Sequence, residues 1–286
     1  MDNYIIFETG NYTTKLGLSS VFEEPKIGSL LKIFTEDQLQ TLPLLFVVPS
    51  NATRPTAEEI TKIIFEEIKS PLSYILNQAM AAACAGNSTN ALIIDVGFDH
   101  CVITPVLDGI VMLPWQEASN VGSRCVIQYL EAKNIPRPSA FNLLENEFVK
   151  SKTNVLFNDS IKIFFEKSKL MELFQIVMSK VDLDKRSTLC EAVIMTGGIS
   201  NLFDFKNIFQ ANLKKSLSDN SNDFQIKEIK YINVPEYFGA LGGKNVHASF
   251  IGGCILSKMV FGDSKYCLTR QDYNDKGPSI IHSKAV

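Results

Sequence analysis

The chain has 286 residues, of which 45% are hydrophobic and 21% charged. A chain of that length buries roughly three-quarters of its unfolded surface, enough for a large core without disulfide staples, and the balance excludes a wholly disordered chain. Lys plus Arg number 28 against 31 Asp plus Glu, a formal net charge of -3, which excludes a global positive field that would draw in a nucleic-acid backbone.

The six cysteines, Cys84, Cys101, Cys125, Cys190, Cys254 and Cys267, stand singly, with no C-x-x-C and no Cys/His cluster at ligand spacing. This argues against a disulfide framework and a structural zinc site, and no metal is expected. The first residues lack a basic region followed by an apolar one, and no apolar run reaches bilayer length, so a soluble protein of the nucleus or cytoplasm is expected. Without a secretion signal, the N-x-S/T triplets at Asn11, Asn51, Asn87 and Asn158 read as chance matches.

Tyr4 to Gly10 is an apolar run closed by a turn signal, and Thr13 to Leu18 resumes it, which predicts an opening hairpin. Leu42 to Pro49 reads as a buried strand. Next comes a predicted helix with Thr56 as its N-cap, Glu59 in the capping-box position and Ile60, Ile63, Ile64, Phe65 and Ile68 on one face. Pro71 to Leu76 predicts a short strand and Asn77 to Cys84 a small-residue helix stopped at Gly86.

From Asn90 the plan restarts. Ala91 to Gly97, a turn at Phe98 to His100 and Cys101 to Gly109 form a second hairpin, so Asp95-Val96-Gly97 repeats the acid-x-Gly ending of Glu8-Thr9-Gly10. Helical patterns follow at Val121 to Lys133, Ser139 to Val155 and Leu170 to Lys180. A strand at Ala192 to Thr196 is closed by Gly197-Gly198, and a helix covers Asn201 to Leu217. Ser216 to Asp223 reads as a surface loop, Ile226 to Val234 as a strand and Ser249 to Val260 as a helix. The repetition predicts two related α/β lobes, the first from residues 1–86 plus 249–286 and the second from 87–248.

An acid at a strand end with glycine in the turn suits phosphate: backbone N–H groups face the anion, and the carboxylate can hold a hydrated cation. Two such turns with a distal Gly-Gly form the cradle of the ribonuclease-H-like fold of actin, hexokinase and the heat-shock ATPases. The chain resembles actin and the actin-related proteins over nearly its whole length, through Thr61 to Pro71, Gln78-Ala79, Leu92 to Gly97, Thr104 to Gly109, Val181 to Arg186, Val193 to Ile199 and Tyr273 to His282. Asp108 to Val111 resembles the seventh yeast actin-related protein. Val234 to Phe238, Phe250 to Phe261, Leu268 to Arg270 and Lys276 to Pro278 resemble the ninth more strongly. Both are nuclear proteins of fungal SWI/SNF and RSC chromatin remodellers.

The resemblance implies a nucleotide site at Glu8, Thr9, Gly10, Lys15, Gln78, Asp95, Val96, Gly97, Gly197 and Gly198, with Lys15 as the phosphate-contacting lysine and Gln78 as the water-orienting glutamine. It also shows departures. Glu8 replaces an aspartate, Phe98 the second loop's next acid, Asp99 its second glycine and Val102 the water-activating histidine, while the adenosine-flanking pair has no counterpart near Lys150 to Asn154. Asp99 adds negative charge toward a triphosphate and removes the close backbone approach. Gln78 without its histidine is a poor hydrolytic apparatus. The expectation is a degenerate ATPase site, no cofactor, and only residual ATP binding if any. Gly28 to Gln40 and Val155 to Leu170 are also short for the outer subdomains, so a reduced actin fold that does not polymerise is expected.

Other signals have plainer readings. His100 reads as a solvated turn residue, and His247 and His282 stand alone. Asp95 can merely cap its turn, Gly197-Gly198 serves a tight strand-to-helix turn, and Phe203, Phe205 and Phe209 form a stripe more typical of core. By family analogy the tail offers a partner groove at Leu268, Tyr273, Pro278, Ile280 and Ile281, suited to an amphipathic helix. The resemblance implies a non-catalytic scaffold of a SWI/SNF- or RSC-type remodeller. Such a scaffold pairs with a second actin-related protein, binds the helicase-SANT-associated helix of the ATPase subunit, touches DNA or nucleosome only indirectly, and has no membrane role. The alternatives are a pointed-end subunit of the dynactin filament, to which Asp182 to Arg186 is also suited, and a working actin-type ATPase.

Overall fold

The computed structural model describes residues 3–10, 12–20, 23–219 and 229–284. The chain divides into two compact units: Met1–Asn87 with Val234–Val286, and Ser88–Asn233. Residues 234–248, assigned from sequence to the second lobe, thus belong with the first. Lys15 Nζ ties them there by donating to the Val246 carbonyl at 2.7 Å.

In chain order the strands are β1 (Ile5–Thr9), β2 (Thr14–Leu18), β3 (Lys26–Ile27), β4 (Leu44–Val48), β5 (Leu72–Asn77), β6 (Ala91–Val96), β7 (Cys101–Leu107), β8 (Ile110–Val111), β9 (Glu117–Ser119), β10 (Val193–Thr196) and β11 (Leu268–Thr269). The first unit holds a sheet in the order β11-β5-β4-β1-β2-β3. The second holds β10-β6-β7-β8, with β9 also on β7. Both use one plan: an antiparallel hairpin (β1/β2, β6/β7) whose first strand lies parallel to a later strand (β4, β10). Register sets Glu8 opposite Lys15 in the first hairpin and Asp95 opposite Val102 in the second. The repeated acid-x-Gly ending therefore marks equivalent strand ends.

Strand alternation sorts the first unit's core onto two faces. Ile5, Leu44, Phe46 and Val48 pack with Ile64, Phe65, Leu268, Tyr273, Ile280 and Ile281. Ile6, Leu45, Val47 and Leu76 pack with Ala81, Phe250 and Cys254. The second face is thin because the helices Gln78–Ala85 and Ala248–Val260 approach closely: a Cβ on Gly252 would run into the Ala81 main chain. The run of alanines in the first helix permits the same approach from its side.

In the second unit Leu92, Ile94, Val96, Cys101 and Ile103 form one core with Val126, Leu130, Phe157, Phe164, Phe174 and Phe209 from the surrounding helices. Of the predicted phenylalanine stripe, Phe205 and Phe209 are buried, whereas Phe203 is 39% exposed.

Several elements differ from the sequence-based expectation. The helix after β4 starts at Arg54 with Thr53 as N-cap, not Thr56. Pro55 fits the first turn, where its missing N–H costs nothing, and the Thr56 N–H donates to Thr53 Oγ1 at 3.4 Å. The helix continues into a π-turn at Ile63–Glu67. The pattern from Ser139 to Val155 is broken into Arg137–Asn142, a π-turn at Leu143–Glu147 and Phe148–Lys150. A helix at Val155–Ser168 fills a stretch given no element, and another spans Leu183–Cys190. Short helices Leu30–Ile33 and Glu36–Thr41 occupy the reduced outer segment of the first unit. Ser216 to Asp219 continue the helix Phe205–Asp219 rather than opening a loop, and the rest of that predicted loop lies outside the described residues.

Of the predicted strand Ile226 to Val234, the first residues lie outside the described set, as does Asn11 of its triplet. Of the rest, only Tyr231 forms a bridge, to Val193. All six cysteines are free. Among the described residues no helix is long and apolar enough to cross a membrane, and no group of three His, Cys, Asp or Glu could hold a metal.

Candidate functional site

The first hairpin places Glu8 and Lys15 side by side on adjacent strands, both nearly buried. Lys15 Nζ donates to the Glu8 carboxylate oxygens at 3.0 and 3.2 Å and to the Val246 carbonyl at 2.7 Å. An ammonium has three N–H donors, so these contacts use its whole capacity. Thr9 Oγ1 donates to Val47 O at 3.4 Å, and Gly10 is exposed at the strand end. Gln78 opens its helix, where Asn77 caps the Ala79 N–H at 2.8 Å, and is half-buried.

His247 follows Val246. Burial, reinforced by the nearby Lys15 charge, lowers its pKa to about 4, so its imidazole is neutral at physiological pH. Glu24, ion-paired with Lys244, partly offsets that shift.

The second hairpin is closed more tightly. Gly97 N–H donates to His100 O at 2.9 Å across the turn. The Gly97 and Phe98 carbonyls accept the N–H groups of Ser123 (3.0 Å) and Arg124 (2.9 Å) at the start of the helix Arg124–Ala132. Donors at a helix start that could face an anion are thereby satisfied within the chain. Asp99 grips the Arg124 guanidinium with both oxygens, Nη2 to Oδ2 at 2.9 Å and Nε to Oδ1. That contact raises the Arg124 pKa.

The Arg124 guanidinium lies 4.9 Å over the Phe98 ring, which stacks on Phe141 at 5.9 Å. Phe98 and Asp99, the residues that depart from the phosphate-loop pattern, thus join one aromatic and ionic closure. A cavity of about 430 Å³ adjoins it, lined by Asp99, His100, Arg124, Cys125, Gln128 and Lys167 among others.

Asp95, next to last in β6, lies beside Thr196 of β10, and Val96 and Val102 are buried. Gly197, at φ 87°, turns immediately against β6: a Cβ there would stand 2.7 Å from Asp95 Oδ1. The Gly197-Gly198 step thus meets a demand of the strand-to-helix turn, and Ser200 Oγ fastens it by donating to Gly197 O at 2.7 Å. The structure therefore brings Glu8, Thr9, Gly10 and Lys15 together in one unit, with Gln78 elsewhere in that unit. It brings Asp95, Val96, Gly97, Gly197 and Gly198 together in the other.

The tail requires a correction. Leu268, Tyr273, Ile280 and Ile281 are core residues of the first unit and Pro278 is half-buried, so they do not line an open groove. Tyr273 stacks on Phe65 at 5.0 Å and donates to Glu66 Oε1 at 2.6 Å, and Arg270 donates to the carbonyls of Phe65 (3.0 Å) and Ser70 (3.2 Å). The tail's apolar positions cover the π-turn instead of awaiting a partner. His282, expected to stand alone, has its Nε2 2.7 Å from Glu58 Oε1. Arg124 and Arg270 carry no local signal, because their partners lie far away in sequence.

The family model for actin matches residues 15–162 and again 134–286. Actin-related protein 7 of Arabidopsis thaliana is 23% identical over an alignment covering 84% of this chain and 75% of the relative. The SWI/SNF and RSC complexes subunit arp9 of Schizosaccharomyces pombe is 28% identical over 55% of this chain and 29% of its own length. Subunit arp42 of the same complexes is 31% identical over 27% of this chain and 19% of its own length. The alignments thus span less than a third of either fission-yeast relative. With the family model spanning most of the sequence on a two-unit fold of repeated plan, the chain belongs to the actin family.

Proposed function

We propose that this chain is a non-catalytic actin-family subunit, a pseudo-ATPase scaffold in a SWI/SNF- or RSC-type chromatin-remodelling assembly of the nucleus. In that role it pairs with a second actin-related protein and holds the helicase-SANT-associated helix of the ATPase subunit, tuning how ATP hydrolysis is coupled to DNA translocation. The observation that carries the non-catalytic reading is the second turn, where Asp99, Arg124 and Phe98 close on one another and Val102 is buried at the position assigned to the water-activating histidine. Glu8 and Lys15 satisfy each other in the first turn in the same sense.

In such a site Lys15 and Arg124, the cations of the two turns, are each held by a carboxylate, and the valine at position 102 cannot serve as a general base toward a γ-phosphate. The remodeller setting is supported by the names of the two fission-yeast relatives. A net charge of -3 suits a subunit that reaches DNA through partners.

The test is purification of the tagged chain from its own cells in mild salt, with mass spectrometry of what co-elutes and a parallel Mg-ATP turnover assay. A remodeller ATPase with a second actin-related protein, and no turnover, is the expected result. Recovery of dynactin subunits overturns the assembly reading, and measurable hydrolysis overturns the non-catalytic one.

A further inference from the structure

The cavity of about 430 Å³ beside the second hairpin is lined by the second unit alone, and of its lining side chains only those of Val121 and Cys125 are apolar. A pocket for an apolar ligand carries the opposite balance. Asp99 holds Arg124 by one side of the guanidinium, through Nη2 at 2.9 Å and through Nε. A guanidinium has five N–H donors, so three of them, on Nη1 and the outer side of Nη2, keep no partner among the described residues. The Phe98 ring, 4.9 Å from the guanidinium carbon, and the Asp99 carboxylate together fix where that free edge stands. We propose that the cavity is a carboxylate-binding site that receives an acidic side chain of a partner peptide.

The other donors suit the same ligand. Lys167, near the end of the helix Val155–Ser168, lines the cavity, and among the described residues no carboxylate pairs with it. Its acidic neighbours are engaged elsewhere, Glu166 with Lys162 at 3.8 Å and Glu172 with Lys169 at 3.3 Å. The side chains of Asn120 and Gln128, also in the lining, bond to no described residue. Asp99 is the one acid of the lining and is spent on Arg124, so with His100 neutral a single positive charge, that of Lys167, stays uncompensated. One carboxylate supplies that charge, and its two oxygens match the two parallel N–H groups of the guanidinium edge. A phosphate dianion brings one negative charge too many, beside the Asp99 carboxylate.

The walls indicate the source of the carboxylate. Asn120, Arg124, Gln128 and Lys167 are all exposed, so a ligand here keeps one face in water. A side chain presented by a docked peptide meets that condition and gains contacts along the rim, whereas a free small acid gains only those to its carboxylate. The site is independent of which assembly the chain joins.

The test titrates the full chain at pH about 8, where histidine is neutral, with a capped hexaglutamate peptide, and follows binding by calorimetry with glutarate and inorganic phosphate as comparison probes. The peptide is expected to bind one to one and several-fold more tightly than either small anion. Lys167→Gln should weaken it roughly tenfold. Lys162→Gln removes the same charge from the same helix outside the cavity and should change binding by less than about twofold. Both lysines are exposed, so neither variant endangers the fold. Equal losses in the two variants would reduce the binding to general attraction and overturn the site. Phosphate as tight as the peptide overturns the carboxylate assignment, glutarate as tight overturns the peptide source, and no binding of the peptide overturns the proposal as a whole.

Discussion

Lys15 and Glu8 neutralise each other across β1 and β2, both carboxylate oxygens lying within 3.2 Å of one ammonium. Breaking a pair this buried leaves an uncompensated charge, which costs far more than replacing both members with apolar groups. Glu8→Gln is therefore expected to destabilise the chain by about 3 kcal/mol in urea unfolding. The double variant Glu8→Leu/Lys15→Met should recover most of that loss. A double variant as unstable as the single one would mean that the Val246 contact, rather than the ion pair, holds the hairpin.

Asp99 and Arg124 form the contrasting pair. Arg124 is largely open to solvent, where screening removes most of the value of an ion pair. Asp99→Gly, which restores the residue that the actin-like pattern places there, should change the melting temperature little. Mg-ATP should still give no thermal shift, because Phe98 and the carbonyls bound to the Ser123 and Arg124 N–H groups still close the turn. A clear shift in the variant alone would identify Asp99 as the one residue that blocks the nucleotide.

The two hairpins were legible because an acid-x-Gly ending stops each apolar run, and the repeat of that ending exposed the two-lobed plan. Phe157, Ile161 and Phe164 do stand at helical spacing, but comparing lengths with a longer relative treats Val155–Ser168 as a gap instead of an element. The tail shows a harder limit. An apolar stripe has the same spacing whether its own core or a partner covers it, and Tyr273 is covered by Phe65 and Glu66, some 207 residues away. Asp99 and Arg124, 25 residues apart on separate elements, likewise meet only through the register of the turn on the helix.

Gly252 tests the close approach of the first unit's paired helices. A methyl group there meets the Ala81 backbone, which cannot rotate aside as a side chain can. Gly252→Ala is expected to cost roughly 3 kcal/mol or more. Gly253→Ala, whose nearest neighbour is an Ile6 methyl group at 2.9 Å, should cost less because that side chain can shift. Equal stabilities by denaturant unfolding would show that the helices can move apart freely.

His247 gives a pH signature whose sign follows from its environment. Its pKa of about 4 in the folded chain lies below the roughly 6.5 of an unfolded histidine, so the unfolded state takes up a proton first as pH falls. Stability is complete above pH about 6.5, declines between there and pH about 4, and levels off below for this group. Discounted for its partial exposure, the loss should be about 2 kcal/mol. His247→Gln should flatten that stretch of the stability curve in urea unfolding at successive pH values. Asp272 titrates in a separate, lower window: bonds from Lys284 and Thr269 lower its pKa to about 2, so its contribution fades only between roughly pH 4 and 2. A His247→Gln variant that keeps the full slope between pH 6.5 and 4 would assign the acid sensitivity to groups other than this imidazole.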